Sequence, residues 1–171
     1  MNFQKTLGLL LIGYSLLITA KAQTEFLGCA SVKEIEIEMR TIRTTAYSHG
    51  EADHLKYGRN NAIGTPLQYG RVRSAAADWS RFPLGTEFRL MSDPDTLYIV
   101  DDYGSALVGK ETIDLYKPSM SAMRKWGARN VEIEIIKWGS LEESLRVLKP
   151  RGKKARYVRR MIWAIQSLIQ A

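Results

Sequence analysis

Cysteine is almost missing from this chain: Cys29 is the single one in 171 residues. That excludes an internal disulfide framework and any zinc site built on several thiolates. Long apolar runs are missing too. The uncharged stretch from Thr6 to Ala20 is shorter than the roughly 20 residues a membrane-crossing helix needs. No repeat recurs at a fixed period, and no low-complexity linker divides the chain. Only two histidines are present. Acidic residues disappear altogether from Lys149 onward. What remains is an ordinary globular composition, 45% hydrophobic, of a length suited to one domain. It is neither a disordered polymer nor a disulfide miniprotein.

The formal charge of +7 resembles a nucleic-acid signature until it is located. Lys149–Ala171 holds seven basic residues and no acid, leaving 18 basic and 18 acidic residues over 1–148. The excess belongs to a tail and not to the main domain, so nucleic acid is not an expected partner. The other end reads as a secretory leader: Lys5 precedes the apolar stretch, and Ala20-Lys21-Ala22 offers small residues where a signal peptidase reads. We expect residues 1–22 to be removed and the chain to be exported to the periplasm or cell envelope. An uncleaved anchor is the alternative. Leu27-Gly28-Cys29 vaguely resembles an acylation site but lies well past the apolar run, and a partly buried thiol also fits Cys29.

Val32, Ile35, Ile37 and Met39 alternate with Glu34, Glu36, Glu38 and Arg40, predicting a half-buried strand that continues to Ala46-Tyr47. Ser48 to Gly70 is polar, lacks any sustained period, and reads as a long loop of the kind that is usually functional. Short strands are predicted at Arg71–Ala77, Thr86–Leu90, Leu97–Val100, Thr112–Tyr116 and Val131–Trp138, with Asp93-Pro94-Asp95 as a turn. Helical spacing comes late. Ser119–Trp126 is stopped by Gly127, and Ser140 with Glu143 forms a capping box before Leu141, Leu145 and Leu148. Over Arg156–Ile169, Val158, Met161, Ile162, Ile165 and Ile169 share one face. About six short strands with few helices imply an all-β class, a small closed barrel with a helical C-terminal extension. The expected boundaries are 23–139 for the barrel and 140–171 for the basic amphipathic extension.

Three acids stand in apolar surroundings: Asp78 after Ala75-Ala76-Ala77, Asp102 after Leu97-Tyr98-Ile99-Val100, and Asp114 inside Ile113-Leu115-Tyr116. Asp is a poor strand former, and an ionised carboxylate is costly to desolvate. Taken singly, each fits a local hydrogen bond or a barrel corner. Brought together by barrel closure, they would repel one another and raise at least one pKa, the raw material for acid catalysis at a glycosidic bond. Spacing alone does not show that they converge. A separate cluster, His49-Gly50-Glu51-Ala52-Asp53-His54, carries zinc-type ligands but no helical period or recognisable metal motif. A polar loop shaping a cleft rim is the simpler reading.

In order along the chain stand Thr45-Ala46-Tyr47, Ala77-Asp78, Phe82-Pro83-Leu84-Gly85-Thr86, Asp102-Tyr103-Gly104-Ser105-Ala106, Gly109 and Ile113-Asp114-Leu115-Tyr116. From about Ile42 to Ile136 these blocks resemble the 3D (Asp-Asp-Asp) domain. That domain is shared by the membrane-bound lytic transglycosylase A family and by small stationary-phase survival proteins. The resemblance implies a six-stranded double-psi β-barrel that cleaves the β-1,4 bond between N-acetylmuramic acid and N-acetylglucosamine of peptidoglycan without a metal or organic cofactor. It further implies Asp114 as catalytic acid/base and Asp102 and Asp78 as supporting acids. Tyr47, Trp79, Tyr103 and Gly104 make up the expected substrate-binding set. Trp79 and Tyr103 are candidates for stacking on sugars, although aromatics beside strands also pack as core. Two departures stand out. The family's Asp-Thr-Gly-Gly is Asp102-Tyr103-Gly104-Ser105 here, and the stretch to Asp114 is one residue longer, so Asp101 is an alternative to Asp102.

The expected chemistry is non-hydrolytic: one Asp protonates the leaving oxygen and then deprotonates the muramic C6 hydroxyl, giving a 1,6-anhydro product. Two other classes are a non-catalytic, expansin-like wall-binding module and a metal-dependent amidase using the His cluster. The basic tail is expected either to lie on an anionic envelope surface or to dock its apolar stripe on the barrel, the stripe favouring docking.

Overall fold

A computed structural model describes residues 38–52 and 54–171. The leader, Cys29, the Val32–Ile37 part of the first strand and Asp53 lie outside the described residues. Six strands are β1 (Glu38–Tyr47), β2 (Val72–Ala76), β3 (Glu87–Leu90), β4 (Asp93–Asp102), β5 (Thr112–Tyr116) and β6 (Arg129–Lys137). They close into a mixed barrel in the order β1-β5-β2-β4-β3-β6, a six-stranded double-psi β-barrel of the all-β class. Two pairs, β1 with β5 and β2 with β4, run parallel, and the other neighbours run antiparallel. Closure leaves no unpaired sheet edge.

Alternation marks β1 as a strand, but Met39, the described member of the expected apolar set, is on its outer face. Met39 is 45% exposed, whereas Ile42 and Thr44 are buried, because mid-strand the even-numbered residues of β1 point inward. The turn before β4 also moves. It falls at Met91–Ser92, with Leu90 paired to Asp93, and Pro94 is accommodated as the second residue of a strand, where a missing N–H is tolerated.

The interior is filled by Ile42, Ala75, Phe88, Leu90, Tyr98, Val100, Ile113, Leu115 and Ile133. Phe88 and Tyr98, register partners on β3 and β4, stack with ring centres 5.3 Å apart. Helix α1 (Met120–Trp126) begins at Ser119, whose side chain accepts from the Ala122 N–H, and ends at Gly127. Helix α2 (Leu141–Leu148) starts at Ser140, whose Oγ accepts from the Glu143 N–H at 3.0 Å. Helix α3 spans Arg156–Gln170.

The extension is docked on the barrel. Leu148, Val158, Met161 and Ile165 belong to the same buried cluster as the strands, Ile162 packs partly buried against it, and Ile169 stays 43% exposed. Its attachment explains the Phe82–Thr86 block. The Leu84 N–H donates to Ser144 Oγ and the Ser140 N–H donates to the Leu84 carbonyl. At Gly139 a Cβ would stand 2.3 Å from the Leu84 carbonyl oxygen and 2.5 Å from that of Pro83. Only glycine fits where two backbones meet this closely.

Candidate functional site

The site is set by register around one small residue. Ala76 of β2 is the partner of Asp102 on β4 and of Asp114 on β5. The two acids therefore sit one on each side of β2, with backbones about 9.5 Å apart at two interstrand spacings. Opposed residues share a face, and Ala76 faces away from the main core, toward a second cluster with Tyr47, Leu107 and Tyr116. Ala76 carries almost no side chain, which leaves room between the flanking acids.

A bulge doubles the acid on β4. Register slips between Ala75 and Ala76, so that Ala75 pairs with Val100 and Ala76 with Asp102. Asp101 is the extra residue, and its carboxylate turns to the same side: Oδ2 accepts from Ser74 Oγ at 2.6 Å and from Asn61 Nδ2 at 2.8 Å. Without the bulge, neighbouring residues would point to opposite faces. Both aspartates therefore belong to the site, in different positions. Asp101 anchors the 48–70 loop through Asn61. Asp102 accepts from the Tyr47 hydroxyl at 3.2 Å and from the Tyr103 N–H at 2.8 Å.

Burial sets the electrostatics. Asp102 is 8% exposed, and desolvation, aided by the neighbouring Asp101 charge and opposed by the Tyr103 N–H and the Tyr47 hydroxyl, raises its carboxyl to about 7. Burial also raises Asp101, with the Ser74 and Asn61 hydrogen bonds pulling the other way. Tyr47 is pushed well above the usual phenol value by burial and by the charges of Asp102, Asp101 and Asp114. It therefore remains a hydrogen-bond donor at any physiological pH. Asp114 is less buried than the β4 acids and accepts from Thr45 Oγ1 at 2.7 Å, across the β1–β5 ladder.

Asp78 is differently employed. It is 2% exposed; Oδ1 accepts from the Ser80 N–H and hydroxyl, and Oδ2 from the Gly109 N–H at 2.6 Å. Gly109 has φ +85°, the left-handed region that glycine favours. Asp78 thus clasps its own turn to the loop between Asp102 and Asp114. Trp79 is completely buried, donating Nε1–H to the Asp102 carbonyl at 2.8 Å. It shows no face to a sugar and serves as core. Tyr103 packs edge-on to Trp79 at 4.9 Å and against Tyr157, and its hydroxyl accepts from Arg151 at 3.3 Å. Its ring is directed toward the helical extension. Gly104 forms the turn to Leu107, accepting from that N–H. Of the expected binding set, Tyr47 is the one whose side chain bonds directly to a site carboxylate, while Tyr103 reaches Asp102 through its backbone N–H.

The two histidines separate. His49 Nδ1 is 2.8 Å from the Tyr116 hydroxyl, while His54 packs between Tyr47 and Tyr57. Among the described residues no three His, Cys, Asp or Glu side chains converge as a metal site. Sequence reasoning passed over Asn61 and Ser74. Asn60-Asn61 with Gly64 carries the signal of an Asx turn, and Asn61 Oδ1 does accept from the Ile63 and Thr65 N–H groups. Nothing local pointed to its bond with Asp101.

Residues 73–137 match the family model of the 3D domain. That part of the barrel is similar to a 3D domain. The match runs from β2 to the end of β6 and includes Asp78, Asp102 and Asp114, while Thr45, Tyr47 and the 48–70 loop precede it. No curated protein matches the chain. A 3D domain is of the peptidoglycan-binding or -cleaving type, and the match supports a cell-wall-related function.

Proposed function

We propose that this barrel cleaves peptidoglycan as a lytic transglycosylase, at the β-1,4 bond between N-acetylmuramic acid and N-acetylglucosamine. The observation that carries the reading is the placement of Asp102 and Asp114 on either side of Ala76, with the 48–70 loop tied to the neighbouring Asp101 through Asn61. Asp114, the less buried of the two, is the acid/base. Its proton goes to the leaving O4 as the C1–O4 bond breaks. Its carboxylate then takes the proton of the muramic C6 hydroxyl as that oxygen bonds to C1 and closes a 1,6-anhydro ring. One acid suffices because the nucleophile is part of the substrate and benefits from proximity. A hydrolase would need a second carboxylate to activate water or to attack C1.

Thr45 orients Asp114 by its 2.7 Å hydrogen bond. Asp102, with Tyr47 on one oxygen and the Tyr103 N–H on the other, supplies a second polar anchor whose charge changes near neutral pH. Asp78 supports the site mechanically. Export by the leader and residence at the envelope are part of this proposal. The docked tail supports it by keeping Arg159, Arg160 and Trp163 on the outside, with Trp163 72% exposed.

The test is digestion of purified sacculi with mass analysis of released fragments. Anhydro-muropeptides are expected from the wild type and not from Asp114→Asn. Reducing ends would indicate hydrolysis, and binding without release would indicate a wall-binding module; either result overturns the transglycosylase reading.

A further inference from the structure

A cleft of about 270 Å³ is lined by Tyr69, Lys117, Lys125, Trp126 and Arg129 with Ala122. Three of these are cations and none is an acid. Lys117 continues β5 by one residue, its N–H donating to the Tyr47 carbonyl at 2.8 Å. It is only 6% exposed, with its ammonium 4.5 Å from the Trp126 ring centre and 5.9 Å from that of Tyr69. Among the described residues no carboxylate lies within ion-pair distance of it. Burial, with Arg73 and Arg129 nearby and Asp93 the opposing charge, lowers it to about 8. Arg129 stacks on Trp126 and donates to the Trp126 and Lys125 carbonyls. It adds positive field while its own donors are engaged.

A buried cation without a carboxylate partner costs stability, and this one faces a cleft holding two more. We infer that the cleft binds a carboxylate of the peptide arm that substitutes the glycan. Lys117 stands about 10 Å along the strand from Asp114 and, three residues on, leaves the opposite face; Tyr69 joins the cleft to the site, its ring meeting that of Tyr116 at 6.3 Å. In peptidoglycan the peptide hangs from the muramic ring whose C1 bond is cut, and a few of its residues in extended form span that distance. Trp126 and Tyr69 flank the Lys117 ammonium, and the low exposure of Lys117 strengthens a charge contact made there. This inference rests on the proposed glycan substrate and extends it to peptide-bearing strands.

The experiment measures binding in the Asp114→Asn background, so that cleavage does not enter. The probes are purified glycan strands with their stem peptides and the same strands stripped of peptide by an amidase. Peptide-bearing strands should bind about tenfold tighter, the scale of one charge-assisted contact, with the margin shrinking as salt rises. Lys117→Met and Lys125→Gln should each erase most of that margin. Lys117→Met should also melt no lower than its parent, since it removes a buried unpaired charge; Lys125→Gln changes an exposed residue and preserves the test if the first variant folds poorly. Equal affinity for the two strands, or a margin that survives Lys125→Gln, overturns the subsite while leaving the glycan reading intact. Absence of binding to either strand overturns both.

Discussion

Replacing Asp102 by Asn should make the protein more stable at pH 8 and slightly less stable at pH 4. In the wild type, burial lifts this carboxyl from its ordinary 3.8 to about 7. Below pH 4 the group is protonated in both the folded and unfolded chains and costs nothing. Between pH 4 and 7 the unfolded chain releases the proton that the folded protein holds, so stability falls as pH rises. Above 7 both forms are ionised and the penalty levels off. Roughly three pKa units correspond to about 4 kcal/mol. Asn keeps the shape and carries no charge. Tyr47 can still donate to its one oxygen, but the Tyr103 N–H then loses its acceptor, at about 1 kcal/mol. The difference between variant and wild type should therefore run from about −1 kcal/mol at pH 4 to about +3 kcal/mol at pH 8. Contributions from Asp101 and other titrating groups cancel to first order in that difference. Urea titrations at pH 4, 6 and 8 measure it. A difference independent of pH, or an Asn variant weaker at every pH, would refute the claim that Asp102 is held against its charge.

Three further outcomes follow from named contacts. Asp78→Ala strands the Gly109 and Ser80 N–H groups and should cost about 2–4 kcal/mol by urea unfolding. Gly139→Ala drives a Cβ against the Leu84 and Pro83 carbonyls and should cost at least about 1–3 kcal/mol, read as a lower melting temperature in calorimetry. Trp79→Phe removes the bond to the Asp102 carbonyl. It should lower stability by about 1–2 kcal/mol while glycan affinity, measured by strand pull-down, stays within twofold; a large loss of affinity with no loss of stability would return Trp79 to the binding surface.

The sequence alone determined the elements with a local cause. Polar–apolar alternation and turn residues place the strands, since side chains in a strand alternate by a rule internal to that strand. Ser119, Gly127 and the Ser140–Glu143 box place the helix ends, because a cap is a contact between residues three or four apart. The stripe of Val158, Met161 and Ile165 pointed to a docked helix for the same reason, and that helix is in the core. Composition located the excess charge in the tail.

Only the tertiary structure decided what three aspartates have in common. Asp102 and Asp114 meet across Ala76 because β2 separates β4 from β5 in the closed barrel, an order unrelated to chain order. The slip at Ala75–Ala76 that turns Asp101 and Asp102 to one side depends on a partner strand about 25 residues away. The sequence also grouped Asp78 with the other two acids. Tertiary contact makes it a clasp, because Gly109 brings its N–H within 2.6 Å. Likewise, Trp79 is core because Asp102 offers it a carbonyl where the barrel closes over the ring. A carboxylate or an indole is the same group in every sequence. Whether it faces water, a backbone N–H or another charge is set by long-range register.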